Sequence, residues 1–404
     1  MKKILFAALA VSLLTVSCQK TEVIHQVGPT DGALMSFSTE MSKLTKSTDP
    51  TDAADADSVG MYNLRAQEFR IWAYCDYDDP TTDDGKSETT DDIELDKIYD
   101  GMENLNIDYL ADASSAEGTW KPLKEYYWPS AGKALRFFAV SGLNLGDDLS
   151  EQEIVTCEIN RSNNAEGESV VTPKMEIKTY AVTNTNPNTD LMVADFITQD
   201  KAAQNKDKRV TFNFRHALSK VQFKFKTQGT TPVYIQSLTV ENIRTTGKLT
   251  VEENDGEDKA TRPIKFTWAV NDNTQMPFSD DYKTIPEGFP TSEELMTLNQ
   301  SSESDYDNTA LKLTEDPEEF ATWLVIPQDI VTTTDGKTSG YEVRVTYVIN
   351  KRQFEATFPL YTSQIQRWDD NQYTKYLVTI TPNKITFEAQ AKPWTPQADI
   401  EDQN

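Results

Sequence analysis

Apolar and polar residues alternate with a period of two in one short stretch after another along this chain. Residues 210–226 show it most plainly: Val210, Phe212 and Phe214 alternate with Thr211, Asn213 and Arg215, then Val221, Phe223 and Phe225 alternate with Gln222, Lys224 and Lys226. Successive side chains of a strand point to opposite faces, so the pattern predicts two strands joined by a tight corner, one face on a core and the other in water, as in an antiparallel sheet. The same rhythm places Phe69, Ile71 and Ala73 opposite Arg70, Trp72 and Tyr74, and Val343, Val345, Tyr347 and Ile349 opposite Arg344, Thr346 and Val348. Tyr376, Val378 and Ile380 form another strand, and Ile385, Phe387, Ala389 and Ala391 the last. Shorter runs predict strands over 33–39, with Ala33, Met35 and Phe37 on one face, and over 134–140, 232–240, 247–251, 263–270 and 322–326. No helical periodicity longer than about ten residues accompanies them, and one helical turn is expected at Glu293, Glu294 and Leu295. The chain therefore reads as all-β, its many short strands and intervening turns indicating sandwiches.

Breaks in the pattern divide the chain. Residues 198–209, TQDKAAQNKDKR, hold one apolar residue type and six charges, which makes them the best boundary between an N-terminal β-sandwich over 33–200 and a C-terminal one over 209–404. Residues 43–60 and 282–307 read as loops. Residues 76–92 are an acidic excursion with Asp76, Asp78, Asp79, Asp83, Asp84, Asp91 and Asp92. Clustered carboxylates raise the question of calcium, but the spacing does not fit an EF-hand loop, and a solvated acidic loop is the favoured reading.

The amino terminus suggests a destination. Lys2 and Lys3 precede an apolar run over 4–16, too short for a stable membrane span, and Ser17 and Cys18 follow. This reads as a signal peptide over 1–17. A small residue before cysteine resembles a lipobox, in which Cys18 would carry the lipid, although Leu14 stands four residues before Cys18 and Thr15 occupies the position where leucine is usual. Gln19 lacks the inner-membrane retention signal, so the expected address is the outer membrane, with 18–32 as a lipidated tether.

Charge and cysteines narrow the rest. With 39 basic and 65 acidic residues the formal charge is -26, which argues against nucleic acid or anionic lipid surfaces as partners. Cys75 and Cys157 lie in different expected strands without a spacing motif; they could pair, and two buried thiols are equally compatible with the sequence. No pattern suggests a metal or cofactor. Catalysis by a Ser-His-Asp or Cys-His set would need His216, since His25 is in the tether; a corner histidine flanked by Phe214 and Leu218 reads better as structural. Trp120, Tyr126, Tyr127 and Trp128 could stack on sugars or pack a core, and core is the favoured use.

The corner residues carry more than alternation. Phe214, His216, Leu218, Ser219, Lys220 and Val221 stand as F-x-H-x-L-S-K-V, which resembles the fimbrillin family of pilus proteins. Tyr127-Trp128-Pro129 before the strand at 134–140, the run Asp190-Leu191-Met192-Val193-Ala194, and Trp368, Asn371, Tyr373, Tyr376, Ile380-Thr381-Pro382, Ile385, Phe387 and Trp394 extend the resemblance over most of the mature chain. It implies two tandem transthyretin-like sandwiches with long acidic loops, and a non-enzymatic subunit of a surface fimbria (shaft, anchor or tip), joined to other fimbrillin subunits by strand donation. It further implies that proteolysis removes the first strand and opens a groove for a strand of the next subunit, with host or bacterial receptors as adhesion partners. Processing in polymerising members follows arginine, and the first arginine here is Arg65; Lys46 lies closer to the strand, so both positions and no cleavage stay open. The C-terminal run 385–391 alternates as a donor strand would, while Pro393 and Pro396 would interrupt a longer one. The alternative is a monomeric glycan-binding surface lipoprotein using the aromatic cluster.

Overall fold

The computed structural model describes residues 30–41, 64–65, 67–75, 97–99, 101–110, 118–129, 134–143, 154–163, 169–182, 189–199, 209–272, 275–281, 311–334, 337–350, 352–382 and 384–393. The expected signal peptide, Cys18, Lys46, the acidic run 76–92 and the helical turn at Glu293 lie outside them. Apart from helical residues at Leu64, Arg65 and Gln67, the elements of the described residues are β-strands, numbered here β1 to β28 in chain order.

The first large sheet closes on itself. Its order is β8 (Leu135–Ser141), β11 (Met192–Ala194), β13 (Arg209–His216), β2 (Ser36–Met41), β6 (Thr119–Pro122), β5 (Leu105–Leu110) and β3 (Phe69–Cys75), and β3 then pairs with β8. Short strands β4 (Lys97–Ile98) and β12 (Ile197–Gln199) extend β3 and β8, and β1 (Thr30–Leu34) pairs with β7 (Tyr127–Pro129) beside the ring. Ring closure removes the free edges of an open sheet. Inside lie Phe69, Ile71, Ala73, Cys75, Trp120, Trp128, Leu135, Phe137, Phe212 and Phe214, all buried. Trp72, Phe138 and Val140 alternate with these on the outer face and are buried too, against a second core. The polar side expected of β3 is thus only partly polar, because another layer covers it.

That layer is a four-stranded sheet of β17 (Ile264–Val270), β16 (Thr246–Glu253), β10 (Ser169–Ala181) and β9 (Val155–Asn163), so one sheet draws strands from both sides of residues 200–208. Met175, Ile177, Leu249 and Val251 point from it into the second core. The same core takes side chains from a sheet of β20 (Glu318–Val325), β14 (Ser219–Thr227), β27 (Gln372–Ile380) and β28 (Ile385–Pro393). It also takes them from β15 (Val233–Arg244), β24 (Glu342–Ile349) and β25 (Arg352–Pro359) of a further sheet, in which β18 (Gln275–Asp281) and β19 (Leu311–Lys312) pair with β15. Pairs β21 (Gln328–Asp329) with β26 (Arg367–Trp368) and β22 (Val331–Thr334) with β23 (Lys337–Gly340) complete the set. Phe223 and Phe225 are fully buried, as their alternation predicts.

The strands on either side of the corner do not pair with each other. β13 belongs to the closed sheet and runs parallel to β2, whereas β14 lies in another sheet and runs parallel to β27. Each also has an antiparallel neighbour, β11 beside β13 and β20 beside β14, because a period of two fixes which face is buried and is silent about the neighbouring strand.

Candidate strand-acceptor site

The strand expected over 33–39 is broken at Met35. Met35 N donates to Tyr126 O at 2.8 Å, and β2 begins after it. On one flank β2 runs in register with β13 from Ser36 opposite Arg209 to Met41 opposite Phe214; on the other it meets β6 at one position, Phe37 opposite Trp120. Parallel pairing is slightly the weaker kind, and one flank is barely closed, so β2 is held chiefly by its side chains. Phe37 stacks on Phe212 with ring centroids 6.2 Å apart, and Met35, Phe37 and Met41 are all buried in the ring. Burying three such side chains contributes roughly 5 to 9 kcal/mol gross. Ser38 and Thr211 share a hydrogen bond at 2.8 Å on the outer side. Met35 and Phe37 follow from the alternation; Met41, two positions past the expected strand end, is the next residue on that face.

Arg65 is exposed, in a helical turn after Leu64, which is fully buried, and its guanidinium lies 5.0 Å from the centre of the Tyr109 ring. Cys75 and Cys157 are not joined in a disulfide, and Cys75 lies deep in the ring core. Among the described residues no group of three or more histidine, cysteine or acidic side chains is arranged to hold a metal. Trp120, Tyr126 and Trp128 are buried and Tyr127 is half-buried, so three of the four aromatics considered for sugar stacking face a core.

The corner after β13 ties the two cores together. His216 Nδ1 lies 2.7 Å from Asp190 Oδ2, both groups buried, and Met192 sits opposite His216 in the pairing of β11 with β13. The two motifs picked out in the sequence, D-L-M-V-A and F-x-H-x-L-S-K-V, are thus one structural unit. Next to it Arg215 makes a two-pronged bond to Asp195, which also accepts from Asn213 at 2.7 Å. Trp268 Nε1 donates to Ala217 O at 3.0 Å and Asn371 N to Leu218 O at 3.1 Å, so the corner's carbonyls are bonded by strands distant in sequence. Buried charges persist only when paired and bonded in this way. Burial, and after it the nearby Asp190 charge, push the Tyr180 phenol well above its ordinary range. Ser141 and Ser219, the buried serines among the described residues, donate to Glu68 O and Gln372 O. Asp190 and Asp195 as partners of this corner were not foreseen; their 26- and 20-residue separations carry no motif.

The family model described as fimbrillin-like matches residues 80–394. Among solved structures, a fimbrial protein from Bacteroides vulgatus aligns with 14% identity over 90% of this chain and 99% of its own, with a TM-score of 0.48. A fimbrial assembly protein from Parabacteroides distasonis aligns with 11% identity over 89% of this chain and 98% of its own, with a TM-score of 0.37. No curated protein matches the chain. The family match spans well over half of the residues, and the chain belongs to the fimbrillin-like family.

Proposed function

We propose that this protein is a structural subunit of a cell-surface fimbria, assembled by replacing β2 with a strand from the next subunit. The seat of β2 carries the reading. The strand is bonded along one flank, meets the other at a single position, and with the preceding Met35 fills an aromatic ring interior through Phe37 and Met41. Its loss would expose Phe69, Trp120 and Phe212 and the hydrogen-bonding edge of β13, which is what an incoming strand with the same alternation would cover. A subunit that keeps β2 has no vacancy, so cleavage after Lys46 or Arg65 would act as the assembly switch, and Arg65 is exposed. Strand β28 is a candidate donor: it lies at the edge of its sheet, paired only with β27 on the sheet path, and Phe387 is half-buried on Tyr376 and Phe358. Acylation at Cys18 would hold the precursor at the outer membrane, and adhesion to a receptor would follow assembly. We read the sheets around the two cores as variants of a transthyretin-like pair, the first one closed.

The test is digestion of the purified precursor with an arginine- or lysine-specific protease, followed by N-terminal sequencing and non-denaturing electrophoresis. Oligomer ladders in step with loss of residues 30–41 are expected. Complete loss of that segment with strictly monomeric product refutes strand exchange.

A further inference from the structure

Between β2 and the segment 118–126 the wall of the closed sheet parts: β2 pairs with β6 at Phe37 opposite Trp120, and just before β2 Met35 N donates to Tyr126 O. The gap holds a groove of about 510 Å³, a size within the range of ligand sites. Its lining runs against the rest of the molecule in two ways. In a chain with 65 acidic and 39 basic residues, the described residues lining the groove include Arg65, Lys121, Lys124 and Arg209 against one carboxylate, Glu125, which accepts from the Tyr127 hydroxyl. Of the large apolar side chains exposed among the described residues, Leu34 (50%) and Leu123 (86%) line it, and Leu110 (49%) sits opposite the lining residue Thr119. Exposed leucines beside a local excess of cations mark an interaction surface.

The floor is built to hold its shape. Gly118 N donates to the Tyr109 hydroxyl at 2.8 Å, and a Cβ at Gly118 would collide with that ring and with the Leu110 carbonyl. The Tyr109 ring in turn lies 4.9 Å from Trp120 and under the Arg65 guanidinium. We propose that this groove binds an extended acidic peptide whose carboxylates meet Arg65, Lys121, Lys124 and Arg209 while its apolar side chains cover Leu34 and Leu123. Alternating acidic and apolar side chains suit an extended backbone laid between two strands, and the cations supply the charge complementarity. Because β2 forms one wall, the site belongs to the uncleaved subunit, and the proposal does not rest on strand exchange.

Fluorescence anisotropy with the purified, uncleaved full chain and a short fluorescein-labelled peptide of alternating glutamate and valine tests this. Saturable binding is expected, weakening as salt is raised and missing for the lysine-valine counterpart. The double variant Lys121→Glu/Lys124→Glu should bind at least about tenfold more weakly, and Leu123→Asp should weaken binding separately, both without change in melting temperature because these side chains are exposed. Absence of saturable binding, equal binding of the lysine peptide, or unchanged affinity in both variants overturns the proposal. Binding of a sulfated oligosaccharide where the peptide fails overturns it as well, assigning the groove to a glycan.

Discussion

Replacing Phe37 by alanine probes the seat of β2 directly. The ring is buried, stacked on Phe212 and opposite Trp120, with Phe69 completing the cluster at 5.4 Å from Phe212. Truncating a phenylalanine in such a place removes its transfer free energy and leaves a cavity, together about 3 to 5 kcal/mol. With a urea dependence of about 1 to 3 kcal/mol per molar, the unfolding midpoint should fall by at least about 1 M. Tryptophan fluorescence suits the assay, since Trp120 and Trp128 lie in the same core. Glu40→Ala, on an exposed position of the same strand, serves as control and should stay within about 0.5 kcal/mol. A Phe37→Ala change below about 1 kcal/mol, with hydrogen exchange of β13 unaltered, would show that the ring core does not depend on β2, and the assembly argument would lose its energetic basis.

Two further outcomes follow from the corner. Asp190→Ala and His216→Ala should each cost about 3 to 5 kcal/mol by stranding a buried partner, and the double variant should cost less than their sum by about 1 to 3 kcal/mol; additive losses in thermal or urea unfolding would refute the pairing. The phenols of Tyr180 and Tyr376 are pushed up, first by burial, so the folded chain holds those protons more tightly than the unfolded chain does. Their contribution to stability is complete below the ordinary phenol pKa of about 10 and is lost as pH rises through the folded values; titration of every tyrosine near pH 10 while the protein stays folded would contradict this.

Much of the fold is written in local pattern. The faces of β13, β14, β24 and β27 follow from alternation because burial of one face is a property of each strand by itself. The two-sided burial of β3 and β8 was less legible: Trp72 and Phe138 sit on what alternation marks as the second face, and only the layer of β9, β10, β16 and β17 above them decides that they are covered. The aromatic run at 126–128 gave two readings, and burial of Tyr126 and Trp128 in the ring chose between them.

The chain's own order of residues determined an all-β molecule, the buried members of most strands, and the corner motif that marks its family. Tertiary structure alone decided that β13 lies parallel to β2, that β3 closes the ring onto β8, and that Asp190 meets His216. The reason is physical: a period of two specifies which way a side chain points, whereas hydrogen-bond partners are chosen among segments brought together from tens to well over a hundred positions away. The same holds for the groove beside β2, whose four cations come from three separate stretches of sequence and share a surface only once the sheet has closed.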